Sequence, residues 1–268
     1  MKSKTELLFE AYLRQCKITY KYEPFSGSKN PDYLFKHHGK TILVEIKELE
    51  ETPLDRATNT SLAKGGGTFS LDPGELYRIL RRRIDAACRQ LKPHGAKVDY
   101  CLVILGNKAG YDLDLDSVFY AMYGDLYLSI PFDIQGVGSM AKAESRMKAT
   151  GSLRKHHPSN KQMYSPHTYL GGVGLIKRFN GRSYYEGKFY EKVLRGVNTK
   201  EWDAHTMLKF LKKKWLQHKK ELPKLYKDPK KVFYKVEIIS NPLSSRPIPK
   251  GIFTARWDYV RFPQIIYE

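Results

Sequence analysis

Residues 41–49 of this chain include apolar side chains at both the odd and the even positions, which is typical of a β-strand buried on both faces. Side chains two residues apart share a face of a strand, and one face here is purely apolar, consisting of Ile42, Val44 and Ile46. The other face places Glu45 and Lys47 among leucines. Burying charge is costly unless the charge is paired or binds a metal. The run therefore predicts a central strand of a covered sheet, with one pair of charges that needs a reason to be there.

Helix start signals and further apolar runs surround this strand. Ser3-Lys4-Thr5-Glu6 is a capping box, which predicts a helix over residues 4–16. Asp72-Pro73-Gly74-Glu75 predicts the start of a second helix, whose apolar residues recur at helical spacing until Pro93 ends it. Strands are predicted over residues 18–22, 32–36, 41–49 and 100–105, with residues 37–40 joining a hairpin. The order helix, three strands, helix, strand predicts an α/β fold.

The rest of the chain carries weaker signals. Helices are predicted over residues 117–123 and 199–222, and strands over residues 126–130, 173–178, 232–239 and 259–262. Residues 50–71 contain the run Lys64-Gly65-Gly66-Gly67, so we expect a mobile loop there. The organisation we expect is a core over residues 1–135, a flexible basic loop over residues 136–170, and a basic C-terminal α/β extension over residues 171–268 that packs on the core sheet.

The chain has a strong excess of positive charge. Its 47 Lys and Arg exceed its 28 Asp and Glu, for a formal net charge of +19. Residues 195–231 hold twelve basic and four acidic side chains, and residues 136–170 hold six and one. Clustered positive charge favours a polyanionic partner, nucleic acid before an acidic membrane surface. Four lysines of the predicted helix over residues 199–222 are expected to face solvent and contact phosphates: Lys209, Lys212, Lys213 and Lys220.

Membrane-spanning, secreted and disulfide-stabilised classes are disfavoured. The apolar run 101–105 is far shorter than the ~20 residues that span a bilayer. The first residues begin an amphipathic helix and lack the apolar stretch of a signal peptide. Cys16, Cys88 and Cys101 form no CxxC pair, which argues against a disulfide framework or a zinc ribbon. We therefore expect a soluble, cytoplasmic protein.

The predicted hairpin can bring two carboxylates together. Adjacent strands lie ~4.8 Å apart, so Asp32 at the start of one strand can face Glu45 on the other. Two carboxylates and a backbone carbonyl form a hard-oxygen site suited to Mg²⁺. Lys47 can help orient and deprotonate a water, or stabilise charge on a phosphate. The alternative is structural, since Glu-x-Lys is a common same-face ion pair and Pro-Asp is a common turn.

Pro31-Asp32, twelve further residues and then Glu45-Ile46-Lys47 resemble the motif of the PD-(D/E)xK nuclease superfamily. The element order over residues 4–105 is similar to the restriction-endonuclease-like αβββαβ core of that superfamily, with its mixed central sheet. The resemblance implies a divalent-metal nuclease. Asp32 and Glu45 would be ligands of Mg²⁺, or of Mn²⁺ in its place, and Lys47 would assist the water.

The resemblance also implies residues on the two helices. Members of the superfamily often add a Glu from the first helix, and we expect Glu10 to be that catalytic and metal-binding residue, because Glu6 is used in the capping box. The alternative for Glu10 is an ion pair with Arg14, four residues on. Gln90 can reach the site as Gln does in some relatives, but we expect it to face solvent.

Together these patterns predict a Mg²⁺-dependent nuclease, and DNA is favoured over RNA because the superfamily leans that way. An endonuclease is the expected mode, and a homodimer is left open. One alternative is a catalytically inactive nucleic-acid-binding module on the same fold, which the intact Asp32, Glu45 and Lys47 disfavour. Another is that the basic helix, with Trp215 and Leu216 beside three lysines, binds an acidic protein or a membrane surface.

Overall fold

The computed structural model describes residues 2–27, 30–50, 73–108, 113–124, 126–129, 144–147, 151–153, 155–156, 163–164, 166–180, 203–218, 232–253 and 258–262. The chain forms two compact units, one of residues 1–177 with 235–268 and one of residues 178–234. Among the described residues, no helix has the length and apolar composition needed to cross a bilayer.

Four α-helices lie within the described residues. They are α1 (Lys4–Gln15), α2 (Pro73–Leu91), α3 (Leu115–Tyr123) and α4 (Ala204–His218). Helix α1 begins with the predicted capping box, in which the Glu6 N–H donates to the Ser3 hydroxyl and the Ser3 N–H donates to the Glu6 carboxylate. Both amides would otherwise lack partners at the helix N-terminus. Asp114 is the N-cap of helix α3, and its side chain accepts from the Ser117 N–H.

The described strands are β1 (Tyr20–Tyr22), β2 (Tyr33–His37), β3 (Lys40–Leu49), β4 (Tyr100–Asn107), β5 (Leu126–Ser129), β6 (Glu144–Met147), β7 (Lys155–His156), β8 (Met163–Tyr164), β9 (Leu170–Asn180), β10 (Val232–Ser240) and β11 (Tyr259–Arg261). Seven of them form one mixed sheet in the order β1-β2-β3-β4-β9-β10-β11. Strands β1, β2 and β3 pair antiparallel, while β3 with β4 and β4 with β9 pair parallel. The predicted α/β class with a mixed sheet is confirmed.

Strand β3 is buried on both faces, as its sequence predicts. On one side, α1 packs Phe9 against Tyr33 and Phe35 of β2, with ring centroids 5.3 and 6.4 Å apart. On the other side, Leu43 and Leu49 of β3 belong to a core cluster with apolar residues of α2, α3, β4 and β9. Because side chains alternate along a strand, Glu45 and Lys47 lie on the α2 side of the sheet.

A glycine lets α1 approach the sheet closely. A Cβ placed on Gly106 of β4 would lie 1.9 Å from Oγ1 of Thr5 in α1, so no larger residue fits without a shift. The backbone N–H and hydroxyl of Thr5 both donate to Oε2 of Glu48, at 2.9 and 2.8 Å. These contacts anchor the first turn of α1 to the β3–β4 part of the sheet.

Most predicted elements are present with small changes of boundary, and the C-terminal strands have a role that the sequence did not reveal. Strands β9, β10 and β11 are members of the central sheet. The strand predicted over residues 173–178 begins earlier, at Leu170. The loop predicted over residues 50–71 lies outside the described residues from residue 51 onward, as does Asp72, the first residue of the predicted start of the second helix. Most of the basic loop predicted over residues 136–170 also lies outside them.

The second unit contains α4 and the adjoining ends of β9 and β10. Helix α4 occupies the middle of the helix predicted over residues 199–222, and the residues on either side, 199–202 and 219–222, lie outside the described part of the chain. Phe179 of β9 stacks on Phe233 of β10 with ring centroids 5.9 Å apart.

Candidate active site on strands β2 and β3

Asp32 lies at the point where the β2–β3 ladder ends. Tyr33 pairs with Val44, so the antiparallel register places Asp32 opposite Glu45. The backbone N–H of Ile46 has no strand partner beyond this point, and it donates to Oδ2 of Asp32 at 2.6 Å. The backbone carbonyl of Asp32 accepts from the Glu23 N–H at 2.8 Å. The residue is therefore held at both its backbone and its side chain, as the predicted hairpin requires.

Glu45 is the most deeply buried carboxylate of this site, with 1% of its surface exposed. Its Oε1 accepts from Nζ of Lys47 at 2.5 Å. Its Oε2 is buried and has no hydrogen-bond partner among the described residues. An unpaired polar atom in a protein interior costs ~1–3 kcal/mol, and more if it is charged. A cation bound at Oε2 would remove this cost.

The environment disfavours negative charge on both carboxylates. Burial is the largest cause that raises the pKa of Glu45, to about 8, and the nearby charge of Asp32 adds to it. Burial likewise raises the pKa of Asp32 to about 6, against the hydrogen bond from Ile46, which lowers it. A bound cation stabilises a carboxylate whose charge is disfavoured by burial and by a neighbouring carboxylate, as Glu45 is by Asp32. Without a cation, Glu45 retains its proton at neutral pH.

Lys47 connects β3 to helix α2. Its Nζ donates to Oε1 of Glu45 and also to Oε1 of Gln90, each at 2.5 Å. The expectation that Gln90 faces solvent is therefore wrong. The periodicity of α2 predicts which face of the helix is apolar, but Gln90 lies at the edge of that face. Whether Gln90 contacts Lys47 therefore depends on how the helix is rotated when it packs on the sheet. With two acceptors, the Lys47 ammonium has a defined position above the carboxylate pair.

The two glutamates of α1 differ in their surroundings. Glu10 is buried, and its carboxylate accepts from the Tyr33 hydroxyl at 3.1 Å and pairs with Lys2 and, at 3.8 Å, with Arg14. The ion pair with Arg14, the alternative interpretation of Glu10, is therefore present. Helix α1 also packs on the face of the sheet opposite Glu45 and Lys47. We therefore leave Glu10 out of the site, and its predicted metal-binding role has no supporting contact.

Glu6 keeps its capping role and also influences the site. Its carboxylate accepts from the Tyr22 hydroxyl at 3.0 Å. After burial, the charge of Glu6 is one of the causes that raise the pKa of Asp32. The N-terminal turn of α1 therefore adds negative potential at Asp32, on the side where the hairpin begins.

The residues predicted to bind nucleic acid are on α4, in the second unit. Lys209, Lys212 and Lys213 are exposed, as expected from helical spacing. Lys220 lies outside the described residues. The cysteines carry no sign of a nucleophile, since burial raises the pKa of Cys88 above its ordinary value and that of Cys101 to about 12.

The donor set at Asp32 and Glu45 fits a hard divalent cation. Carboxylate oxygens are the ligands that Mg²⁺ prefers, and here one carboxylate is half-buried and the other buried, with an oxygen that has no partner among the described residues. Within the described ranges, no group of three or more His, Cys, Asp and Glu side chains gathers as a metal site. The fit is therefore to an ion that takes two protein carboxylates and retains water, which is the usual behaviour of Mg²⁺.

Comparisons of the chain with models of known families, with curated proteins and with solved structures found no match. The geometry of the site therefore carries the functional conclusion.

Proposed function

We propose that this protein is a divalent-metal-dependent nuclease with a restriction-endonuclease-like core, which hydrolyses phosphodiester bonds in DNA as an endonuclease. The observation that supports the proposal best is the buried Glu45 beside the half-buried Asp32, with an oxygen of Glu45 that has no partner among the described residues and the Lys47 ammonium next to it. A purely structural ion pair has no need of a second carboxylate that raises the pKa of the first.

Each residue has a role that follows from its contacts. Asp32 and Glu45 would hold Mg²⁺, or Mn²⁺ in its place, and such a cation supplies Lewis-acid stabilisation of phosphate charge and lowers the pKa of water. Lys47, fixed by Glu45 and Gln90, places a positive charge and a proton donor where a scissile phosphate gains negative charge. The net charge of +19 favours binding of the polyanionic substrate.

Incubation with nucleic acids of defined form tests the proposal. Covalently closed circular DNA, linear single- and double-stranded DNA, and the corresponding RNAs are each mixed with the protein in Mg²⁺, Mn²⁺ or EDTA. We expect cleavage of the closed DNA circles with either metal and none in EDTA. Binding of DNA without cleavage under any of these conditions would contradict the proposal and favour the inactive binding module.

A further inference from the structure

Helix α2 presents a row of basic side chains on the side opposite its core face. Its buried residues, Leu76, Leu80, Ile84, Ala87 and Leu91, define that core face. At 100° per residue, Arg78, Arg82, Arg89 and Lys92 fall within about 80° of one another on the opposite side. Lys92 continues the helical pattern, because its N–H donates to the Cys88 carbonyl at 3.0 Å. These four residues are called the α2 basic row.

The α2 basic row is exposed and has no acidic partner among the described residues. All four side chains are exposed, and the ion pairs among the described residues include none of them. Asp85 is the acidic residue in the same sector, but its carboxylate is half-buried and directed toward Nε2 of His167, at 3.8 Å. Like charges four residues apart on a helix cost ~0.2–0.5 kcal/mol. An external anion would remove that cost.

The row leads to the candidate active site. Arg89 directly precedes Gln90, whose amide oxygen accepts from Lys47. From Arg78 to Lys92 the helical rise is about 21 Å, which matches roughly six phosphates along each strand of B-form DNA. Gln90 lies about 100° around α2 from Arg89, and its contact with Lys47 joins this end of the helix to the candidate active site.

We infer that the α2 basic row binds the phosphate backbone of duplex DNA and directs it to Asp32, Glu45 and Lys47. Arginine supplies three of the four charges, and its planar guanidinium donates two parallel hydrogen bonds to a phosphate. The inference rests on the proposed function, because it gives that site its substrate-binding surface. It assigns this role to a helix in the same compact unit as the site, in addition to the lysines of α4.

Salt dependence of DNA binding tests the inference without cleavage. A fluorescein-labelled DNA duplex of about 24 base pairs is titrated with protein in EDTA, and Kd is measured by fluorescence anisotropy at KCl concentrations of about 50 to 300 mM. Three triple variants are compared with wild type. The first replaces Arg78, Arg82 and Arg89 with Gln, which keeps helix propensity, and the second replaces them with Lys. The matched control replaces Lys4, Arg14 and Lys17, which are exposed on or next to α1, with Gln.

Each phosphate contact contributes a slope of about −0.9 to the logarithm of affinity against the logarithm of salt. We expect the Gln variant to flatten the slope by up to about 2.7, and the Lys variant and the α1 control to keep the wild-type slope. The inference is overturned if the Gln variant keeps the wild-type slope, if the α1 control flattens it equally, or if wild type does not bind the duplex. If the Gln variant fails to fold, Arg82→Gln with Arg89→Gln replaces it, with an expected change of up to about 1.8. If the Gln variant flattens the slope but the wild-type protein cleaves no nucleic acid, the α2 basic row is supported as a DNA-binding surface and the proposed nuclease activity is rejected.

Discussion

Two glutamates of the central sheet, Glu45 and Glu237, each lie two positions from a lysine. Their surroundings differ, and the difference distinguishes a candidate active site at Glu45 from a structural ion pair at Glu237. Glu237 of β10 pairs with Lys177 at 2.7 Å and with Lys235 at 2.5 Å, one through each carboxylate oxygen. Burial raises its pKa, but these two hydrogen bonds outweigh that effect and hold the pKa below its ordinary value. Glu45 has one lysine, a neighbouring carboxylate and a pKa raised to about 8. Both glutamates share a strand face with a lysine two positions away, in opposite sequence order, and the two sites differ in the number of lysines that pair with the glutamate.

This difference predicts opposite effects of the same substitution. Glu45→Gln removes a buried carboxyl group whose ionisation is disfavoured by burial and by Asp32, so we expect loss of metal-dependent cleavage and a Tm equal to or above that of metal-free wild type. Glu237→Gln leaves two lysines without their partner, so we expect a lower Tm and normal cleavage. Calorimetric Mg²⁺ titration, plasmid cleavage and thermal melting of both variants measure these effects. A Glu45→Gln protein that still cuts would remove Glu45 from the site.

The two hydrogen bonds of Lys47 lead to a prediction about rate. Lys47→Ala should lower the single-turnover cleavage rate by at least about 10²-fold, the usual size of a lost charge-stabilising or acid–base group. Affinity for DNA and Mg²⁺ should stay near wild type. Gln90→Leu, which removes one acceptor and keeps Lys47, should lower the rate by less. Cleavage by Lys47→Ala at the wild-type rate would contradict a chemical role.

At the scale of the elements, helix α4 carries exposed basic side chains much as α2 does, but in the other compact unit. Its charges are lysines, which attract phosphates as point charges and lack the paired donors of arginine. Lys214 differs from its neighbours, since it is half-buried with its Nζ 5.8 Å from the ring centroid of Phe210. The exposed Lys209, Lys212 and Lys213 are therefore the lysines of this helix with which DNA binding can be tested.

Replacing these three lysines with Gln should weaken DNA binding equally for all sequences and flatten its salt dependence by up to about 2.7. Cleavage at saturating substrate should be unchanged, because Asp32 and Glu45 lie in the other unit. Anisotropy titrations at several KCl concentrations and saturating cleavage assays measure the two effects. A wild-type salt slope would show that α4 is a solvated surface that makes no phosphate contact.

At the scale of the whole molecule, the central sheet holds Asp32 and Glu45 in surroundings where ionising either carboxyl group lowers the free energy of unfolding. The folded-state pKa values of about 6 for Asp32 and about 8 for Glu45 exceed the ordinary values of 3.8 and 4.5. The folded protein therefore holds protons that the unfolded chain releases. This contribution to stability is complete below about pH 4 and is lost as the pH rises through about 6 and then 8.

We therefore expect the Tm of the metal-free protein to fall between pH 5 and pH 9. Each unit of pKa change corresponds to ~1.4 kcal/mol, and ~1 kcal/mol shifts Tm by roughly 2–4 °C at this size. Over this range Asp32 contributes about one unit and Glu45 about three, so the fall should be about 11–22 °C. The double variant Asp32→Asn, Glu45→Gln is the control, and its Tm should vary less with pH. Mg²⁺ competes with protons, so it should raise the wild-type Tm more at pH 8 than at pH 5.5. Equal pH profiles of wild type and double variant would contradict the pKa values.

The sequence alone was sufficient to predict the helices and strands, because capping and side-chain alternation depend on residues close together in the chain. The capping box of Ser3 and Glu6 starts α1, and the alternation over residues 41–49 produces β3. The hairpin register that sets Asp32 opposite Glu45 also follows from neighbouring residues, since the turn after β2 and the period of two leave one pairing that buries the apolar face. The candidate carboxylate pair was predictable for this reason.

Contacts between distant segments depended on tertiary packing. Periodicity gives the buried face of a helix but not its partner. It shows neither the rotation of α2 that brings Gln90 to Lys47 nor the packing of α1 that brings Glu10 to the Tyr33 hydroxyl. Likewise, periodicity does not show that β9, β10 and β11 join the sheet beside β4, because these strands lie far along the chain from it. The sequence by itself determined the elements and the charged pair, and the tertiary structure decided their neighbours, because burial and electrostatic coupling depend on groups brought together from distant parts of the chain.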